Sequence, residues 1–174
     1  PGSFIELSDQ WDELGRSWTA LASYQAHQMG TNALSVDILS TTHSDMGPRA
    51  SLLVCTGGDD QAVCICEVSL VKDEQGRLKP ERDLRPQVTK EASFSAMKGV
   101  FQFCNDGGRY IVTVGYSQQL AIWQYVNKEC RQLQLTGRIP VDLGDVNCFA
   151  ATSTSGSHFI FAIAGLGIET FGLR

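Results

Sequence analysis

Apolar residues recur along this chain in short runs, and polar turns that contain glycine separate them. In the clearest case, an apolar run over residues 110–114 is followed by a polar turn over 115–118 and by a second apolar run over 120–125. Runs this short, bounded by turn-forming residues, are typical of β-strands rather than helices. We therefore predict a β-hairpin over residues 110–125.

The same order of run, turn and run occurs at two other places. Residues 51–68 contain a full copy, and residues 159–173 contain a copy with a shortened turn. Recurrence at roughly fifty residues indicates a repeat architecture, and it favours a β-propeller over a sandwich. Overlaying the two longer copies matches Thr56 with Thr113, Gly57 with Val114, Asp60 with Ser117, Ile65 with Ile122, and Cys66 with Trp123.

We predict an all-β fold, a partial β-propeller of about three blades, each a four-stranded antiparallel sheet. Residues 1–17 are acidic and lack a sustained period, so they are expected to form an N-terminal arm, either extended or with a short helical turn. Residues 18–174 form the partial propeller. Its blades are expected near residues 25–95, 96–138 and 139–174.

The composition of the connecting segments predicts where the remaining strands and loops lie. Turn-forming residues indicate loops at 40–49 and 152–157. The mixed charges of residues 71–85 indicate a solvated, mobile insertion. Further strands are expected over residues 18–24, 32–39, 87–95, 100–103, 130–138 and 145–150.

The length and net charge of the chain exclude several classes of function. A chain of 174 residues with 43% hydrophobic and 19% charged residues can form one domain with a sizeable core. The formal net charge of −5 argues against tight nucleic-acid binding by this chain alone, because lysines and arginines supply most of that affinity. No apolar run is long enough to span a membrane. Because the chain starts at Pro1 without a methionine or a leader, we expect a piece of a longer protein.

Cysteines are frequent but do not form a disulfide pattern. Of the six, five lie in or beside apolar runs. Cysteines in such positions of an intracellular protein behave as small buried hydrophobic residues. We therefore expect reduced core thiols at Cys55, Cys64, Cys66, Cys104 and Cys148.

The sequence offers little for acid-base or nucleophilic catalysis. A nucleophile needs a histidine within reach and a carboxylate that orients it. His27 is better explained as a structural turn residue, His43 lies in a predicted loop, and His158 is expected to cap an apolar strand. Asp59 and Asp60 form a carboxylate pair, but their turn position favours backbone capping. We expect that the protein is not an enzyme.

Metal and phosphate motifs are also incomplete. Cys64 and Cys66 share one face of a strand, but a structural zinc site needs four ligands and no second pair follows. The glycine pairs at 57–58 and 107–108 lack the lysine and the helix of a phosphate-binding loop. We therefore expect no metal and no cofactor.

Several of these positions resemble the repeat of the WD-repeat family, namely Ala26-His27, residues 56–60 and Ile122-Trp123. In that family a histidine, a serine or threonine, an aspartate and a tryptophan of one blade form a hydrogen-bonded set. The resemblance implies this structural role for His27, Thr56, Asp60, Thr113 and Trp123. No blade has all four groups: Cys66 replaces the first tryptophan, Ser117 the second aspartate, and Ala96 or a neighbour the second histidine.

A closer resemblance covers most of residues 25–174. Residues 100–174 look like the last blades of the large WD-repeat proteins that partner an FtsJ-like tRNA 2′-O-ribose methyltransferase, and residues 27–35 resemble the entry to an earlier blade of those proteins. Members of that group are several times longer than this chain. The resemblance implies a non-catalytic scaffold subunit in the cytoplasm, which assists methylation of the wobble nucleotide and meets tRNA only through the complex.

The strand-connecting turns of a propeller are the natural sites for partner contacts. The candidates are Asp59, Tyr116, Gln118 and Gln119 on turns, and Arg77, Lys79, Arg82 and Arg85 in the charged insertion. The alternative for each is simple solvation. Two other functions stay open at this point: an enzyme with a propeller fold, and a general WD-repeat interaction scaffold in trafficking or signalling.

Overall fold

The computed structural model describes residues 3–11, 18–44, 47–126, 132–155 and 158–173, and all regular structure in them is β. None of the described residues forms a helix that could cross a membrane. The all-β prediction is confirmed. The strands are β1 (Ser3–Trp11), β2 (Trp18–His27), β3 (Thr31–Ser44), β4 (Gly47–Gly58), β5 (Val63–Lys72), β6 (Leu78–Pro80), β7 (Gln87–Thr89), β8 (Met97–Asn105), β9 (Gly108–Gly115), β10 (Gln119–Val126), β11 (Gln132–Pro140), β12 (Cys148–Ser155), β13 (His158–Ala164) and β14 (Ile168–Leu173).

The described strands form four antiparallel sheets of neighbouring strands. Strands β1 and β2 make an N-terminal pair. The first full sheet has the order β3-β4-β5-β6, and β7 also pairs with β5. The second full sheet has the order β8-β9-β10-β11, and the last sheet has the order β12-β13-β14. Each sheet follows the chain order, as successive propeller blades do.

The sheets stack face to face, with a cluster of buried apolar side chains between each two. Strand β8 packs against β3 and β4 of the first full sheet and also against β12 of the last sheet. Leu53, Met97 and Ile111 belong to the cluster between the two full sheets. Between the second full sheet and the last sheet, the rings of Phe103 and Phe159 lie 4.4 Å apart. The stacking is that of a partial β-propeller.

The two longer sequence copies have the same strand register. Thr56 on β4 lies opposite Cys64, and Thr113 on β9 lies opposite Ala121. The two turns also match, because Gln61 and Gln118 both adopt left-handed backbone conformations, with φ of 62° and 55°. Both predicted hairpins are therefore confirmed, including the correspondence of their residues.

Two predicted loops were wrong. Strand β3 continues to Ser44 and β4 begins at Gly47, so most of residues 40–49 are paired. Strand β12 continues to Ser155, and residues 156–157 lie outside the described part. Serine and threonine mark turns in sequence, but on exposed strand faces they remain compatible with ladder pairing. Their composition alone therefore gave the wrong assignment.

The charged insertion over residues 71–85 is more ordered than predicted. Strand β6 pairs with the end of β5, and the connecting turn is closed by the Asp73 carboxylate. Its Oδ1 accepts hydrogen bonds from the backbone N–H groups of Gln75 and Arg77, both at 2.9 Å. These bonds, first that from Arg77, hold the pKa of Asp73 below its usual value. An Asx-type turn thus replaces the expected mobile loop.

Other predicted strands shift their bounds. The outer strand expected over 87–95 is only β7, because the chain turns into a loop at residue 90. The opening strand expected over 145–150 begins at Cys148, since Asp145 has a left-handed φ of 51°. The strand expected over 130–138 is β11, with residues 130–131 outside the described part. The described part of the N-terminal arm is extended and pairs with β2.

The five cysteines in the described part of the chain are free thiols, but not all of them are buried. Cys55, Cys64 and Cys66 lie in the core, and burial raises the pKa of Cys64 to about 12. Cys104 and Cys148 are exposed, so the prediction of core thiols was wrong for these two. Both lie at strand ends, where alternation no longer fixes which face is covered. Cys130 lies outside the described residues.

Candidate functional site

One end of the sheets gathers the turns between second and third strands, and we call this end the turn face. It contains residues 59–62, 116–118 and 165–167. The loop that leads into each sheet meets its turn there and accepts a hydrogen bond from it. The three bonds are Asp59 N–H to Gly30 O (2.9 Å), Tyr116 N–H to Ala96 O (3.4 Å) and Leu166 N–H to Gly144 O (2.9 Å).

We call the place where the entering loop meets its turn the junction. In the first full sheet, His27 forms hydrogen bonds on both sides of this junction. Its Nδ1 lies 2.8 Å from Asp60 Oδ1, and its Nε2 lies 2.8 Å from Thr56 Oγ1. The other Asp60 oxygen accepts a hydrogen bond from the backbone N–H of Gln28 at 2.8 Å. With its proton on Nδ1, the ring donates to the carboxylate and accepts from the threonine hydroxyl. Both ring nitrogens of a buried histidine are therefore satisfied.

Asp60 is held in its ionised form. Partial burial raises its pKa, but the hydrogen bonds from the Gln28 N–H and the His27 ring outweigh that effect. The net result is a pKa below the usual aspartate value. Asp60 therefore accepts hydrogen bonds as a carboxylate at neutral pH, which strengthens them relative to neutral pairs.

The order threonine, histidine, aspartate also matches a nucleophile, its base and the group that orients the base. However, the Thr56 side chain is inside β4 with 0% exposure, and His27 is 2% exposed. A cleft of about 390 Å³ reaches His27 and Asp60 but does not include Thr56 among its lining residues. A nucleophile must reach its substrate. Because the Thr56 hydroxyl is buried, this arrangement serves to order the turn and not as a nucleophilic site.

The second full sheet uses a different set of groups at the same junction. The Trp123 Nε1–H donates to Thr113 Oγ1 at 3.0 Å. In place of the histidine and aspartate, Ser95 Oγ accepts from the backbone N–H of Ser117 at 2.7 Å, and Ser93 Oγ lies 3.3 Å from Ser117 Oγ. Ser93 precedes β8 by as many residues as His27 precedes β3. Small hydroxyl groups thus replace the histidine and the aspartate carboxylate.

A glycine occupies the same position in both junctions. A Cβ on Gly58 would lie 2.5 Å from His27 Nδ1, and a Cβ on Gly115 would lie 2.7 Å from Ala96 O. Neither position has room for a side chain, because the entering loop passes directly over it. In the last sheet the polar set is replaced by apolar packing, with Val146 and Ile163 fully buried.

Next to the second junction is a cluster that we call the aromatic patch, made of the exposed rings of Phe94 and Tyr116 and the half-buried cations Lys98 and Arg138. Phe94 is 72% exposed and Tyr116 is 44% exposed. Lys98 Nζ lies 4.5 Å from the Tyr116 ring centroid, and the Arg138 guanidinium carbon lies 5.2 Å from that of Phe94. These distances are within cation–π range.

The structure separates the eight predicted contact residues into groups. Tyr116, Gln118 and Gln119 lie at the aromatic patch, where Gln119 Oε1 accepts a hydrogen bond from Arg138 at 3.1 Å. Asp59 is on the turn of the first full sheet and accepts from the Asn32 side chain. Arg77 lies in the turn after β5 and is paired with Asp73. Lys79 lies on β6 opposite Val71, and Arg82 and Arg85 lie in the segment between β6 and β7.

Sequence reasoning missed the residues that complete this surface. Phe94, Ser93 and Ser95 fell inside a predicted strand, and Arg138 was assigned to an outer strand without a role. The spacing of Ser93 before its strand, equal to that of His27, was a usable signal. No sequence signal pointed to Lys98 or Arg138, because their aromatic partners are distant along the chain.

A scan against protein-family models and a search of curated proteins found no match for this chain. Among the residues that the structure describes, no three His, Cys, Asp or Glu side chains lie close enough together to hold a metal ion.

Proposed function

We propose that the protein is a non-catalytic interaction subunit whose turn face binds a partner protein. The observation that carries this proposal is the exposure of large side chains on turns fixed by buried hydrogen bonds. Phe94 and Tyr116 expose apolar surface to water beside Ser95 and Ser117, which are bonded to each other. Exposed apolar side chains on a rigid turn are typical of protein-binding surfaces.

The exposure of these rings is not an effect of the ends of the stack. The loop that carries Phe94 connects the first and second full sheets, and Arg138 from β11 lies over its ring. Because the sheets on both sides of this loop are described, the exposure of the rings is not caused by a missing neighbouring sheet. By contrast, Leu34, Val36 and Ile38 are exposed on β3, at the less covered side of the first full sheet.

The resemblance to large WD-repeat proteins supports a particular partner. We propose an FtsJ-like tRNA 2′-O-ribose methyltransferase, which the protein assists as a scaffold during methylation of the wobble nucleotide in the cytoplasm. The net charge of −5 favours contact with tRNA through the partner rather than directly. A WD-repeat scaffold in another pathway is the alternative outcome of the experiment below.

The test is ribose methylation of tRNA by the methyltransferase, with and without the full protein. We expect co-purification and a higher methylation rate when the protein is present. Leu166, 81% exposed on the turn face, gives a probe of the surface. Leu166→Arg should weaken both effects, because a partner seated on this face would meet a buried charge.

Leu135→Arg is the matched control, because Leu135 is also an exposed leucine but lies on the outer strand β11. This variant should stimulate as the wild type does. Absence of binding and stimulation by the wild-type protein would refute the methyltransferase partner. Equal loss in both leucine variants would refute the turn face as the binding surface.

A further inference from the structure

We propose that the aromatic patch docks a polypeptide segment that presents a carboxylate beside a large apolar side chain. This inference rests on the proposed function, since it specifies what the turn face recognises. It names Phe94 and Tyr116 as the apolar contacts and Lys98 and Arg138 as the groups that receive the carboxylate.

The two rings are carried by segments that are hydrogen-bonded to each other. Tyr116 and Phe94 are on different segments, but the Tyr116 N–H donates to Ala96 O and the Ser117 N–H donates to Ser95 Oγ. The turn therefore lies directly against the loop that carries Phe94. A fully buried aromatic side chain covers about 150–250 Å². Phe94, 72% exposed, and Tyr116, 44% exposed, still offer a large part of that area to a short segment.

The cations beside the rings remain available for a carboxylate. Neither Lys98 nor Arg138 forms an ion pair with an acidic side chain among the described residues. Arg138 is instead oriented by neutral acceptors, donating to Gln119 Oε1 at 3.1 Å and to Ala92 O at 3.4 Å. Stacking on a ring positions a cation without neutralising its charge. Both groups thus keep their full charge for an incoming anion.

The surrounding charges favour a polypeptide over a nucleic acid. Lys98 and Arg138 make the patch basic, whereas Lys90 and Glu91 line the cleft beside His27 and Asp60. The neighbouring turns and loops are acidic: Asp59 and Asp60 lie on the side of the first full sheet, and Asp142, Asp145 and Glu169 lie on the side of the last sheet. A phosphate backbone extending over the turn face would meet both acidic flanks. A single carboxylate next to an apolar group would meet only the basic centre.

The backbone of the aromatic patch is also preorganised for binding. Its turn and loop are joined by hydrogen bonds of 2.7 Å and 3.4 Å, and Gln118 at the turn tip has a fixed left-handed φ. Binding therefore orders little of the protein, which reduces the entropic cost of association. Tyrosine, phenylalanine and arginine are the residue types that interfaces enrich.

The experiment selects a random-peptide display library on the immobilised full protein and measures the enriched peptides by fluorescence anisotropy. We expect peptides that combine Asp or Glu with Trp, Phe or Leu. A double variant, Phe94→Ser with Arg138→Glu, should weaken their binding about tenfold or more, as loss of a central aromatic and its arginine does elsewhere. Arg138→Lys should keep most of the affinity, because it retains the charge.

The matched control, Met29→Ser with Lys79→Glu, makes the same chemical changes at an exposed apolar residue and an exposed cation outside the patch. It should leave affinity unchanged. Circular dichroism and urea unfolding check that both variants fold, and Lys98→Glu replaces the double variant if that one does not.

Enriched peptides without acidic residues, or equal binding by the double variant, would overturn the inference. Displacement of the peptides by single-stranded RNA that needs Phe94 would also overturn it, in favour of a nucleic-acid site. Acidic peptides bound at the patch with no effect on tRNA methylation would leave this inference intact and refute only the methyltransferase partner.

Discussion

The two full sheets build the same junction from complementary halves of one hydrogen-bonded set. The first has the histidine and aspartate but a small thiol, Cys66, where the second has Trp123. The second has the tryptophan, but serines occupy the places of the histidine and the aspartate. The backbone is alike in both, with Gly58 and Gly115 beneath the entering loop. Both sheets therefore need satisfied polar groups where the loop crosses close to the turn, and either the histidine and aspartate or the tryptophan and serines can supply them.

The comparison predicts that the stability of the second sheet depends most on its tryptophan. Trp123 is almost completely buried, and its removal leaves both a large cavity and an unsatisfied Thr113 hydroxyl. We expect Trp123→Ala to lower the free energy of unfolding by about 3–5 kcal/mol. The corresponding Cys66→Ala change should cost only about 1 kcal/mol. Urea unfolding followed by circular dichroism measures both.

Trp123→Phe separates the two causes, because it keeps most of the ring and removes the N–H donor. It should cost about 1–2 kcal/mol. If Trp123→Ala and Cys66→Ala lowered the free energy of unfolding equally, the two positions would contribute the same stability despite their different side chains.

The first sheet should depend instead on its histidine. Removing His27 leaves Thr56 and Asp60 without their shared partner inside the junction. We expect His27→Ala to cost about 2–3 kcal/mol in the free energy of unfolding, mainly through these unsatisfied groups. The control Gln134→Ala, at an exposed site on β11, should stay within about 0.5 kcal/mol. A similar decrease in the free energy of unfolding in both variants would show that His27 has no special structural role.

The sequence predicted the hairpins and their register well because both depend on local alternation and turn chemistry. Thr56, Asp60 and Trp123 could be aligned for the same reason. The serine set could not be predicted, since Ser93 and Ser95 act only where a distant turn approaches them. The composition of residues 71–85 predicted a mobile loop, and this was wrong. Mixed charges do not reveal that one carboxylate, Asp73, orders the turn through backbone hydrogen bonds.

A smaller effect is expected from the glycine beneath the first junction. A Cβ on Gly58 would overlap His27 and the Asp60 carboxylate. Gly58→Ala should therefore cost about 1–3 kcal/mol, as overpacking does in well-packed sites. Gly137 on β11 has no atom near its Cβ position, so Gly137→Ala should be neutral or stabilising by up to about 1 kcal/mol. The unfolding midpoints of the two variants give the comparison, and equal midpoints would show that the loop can move away.

The last difference between the sheets is their response to acid. Because the fold lowers the pKa of Asp60, its carboxylate stabilises the folded state above the unfolded pKa of about 3.9. That contribution is lost as the pH falls through the lower, folded-state pKa. The stability difference between wild type and Asp60→Asn should therefore shrink between about pH 6 and about pH 3.

Ser117 occupies the corresponding position of the second sheet and does not titrate in this range. The difference between wild type and Ser117→Ala should stay the same at both pH values. Parallel urea unfolding at each pH measures the two differences. An acid-independent effect at Asp60 would mean that its hydrogen bonds persist in the protonated form. The junction of the first sheet would then owe its stability to shape, as that of the second does, rather than to charge.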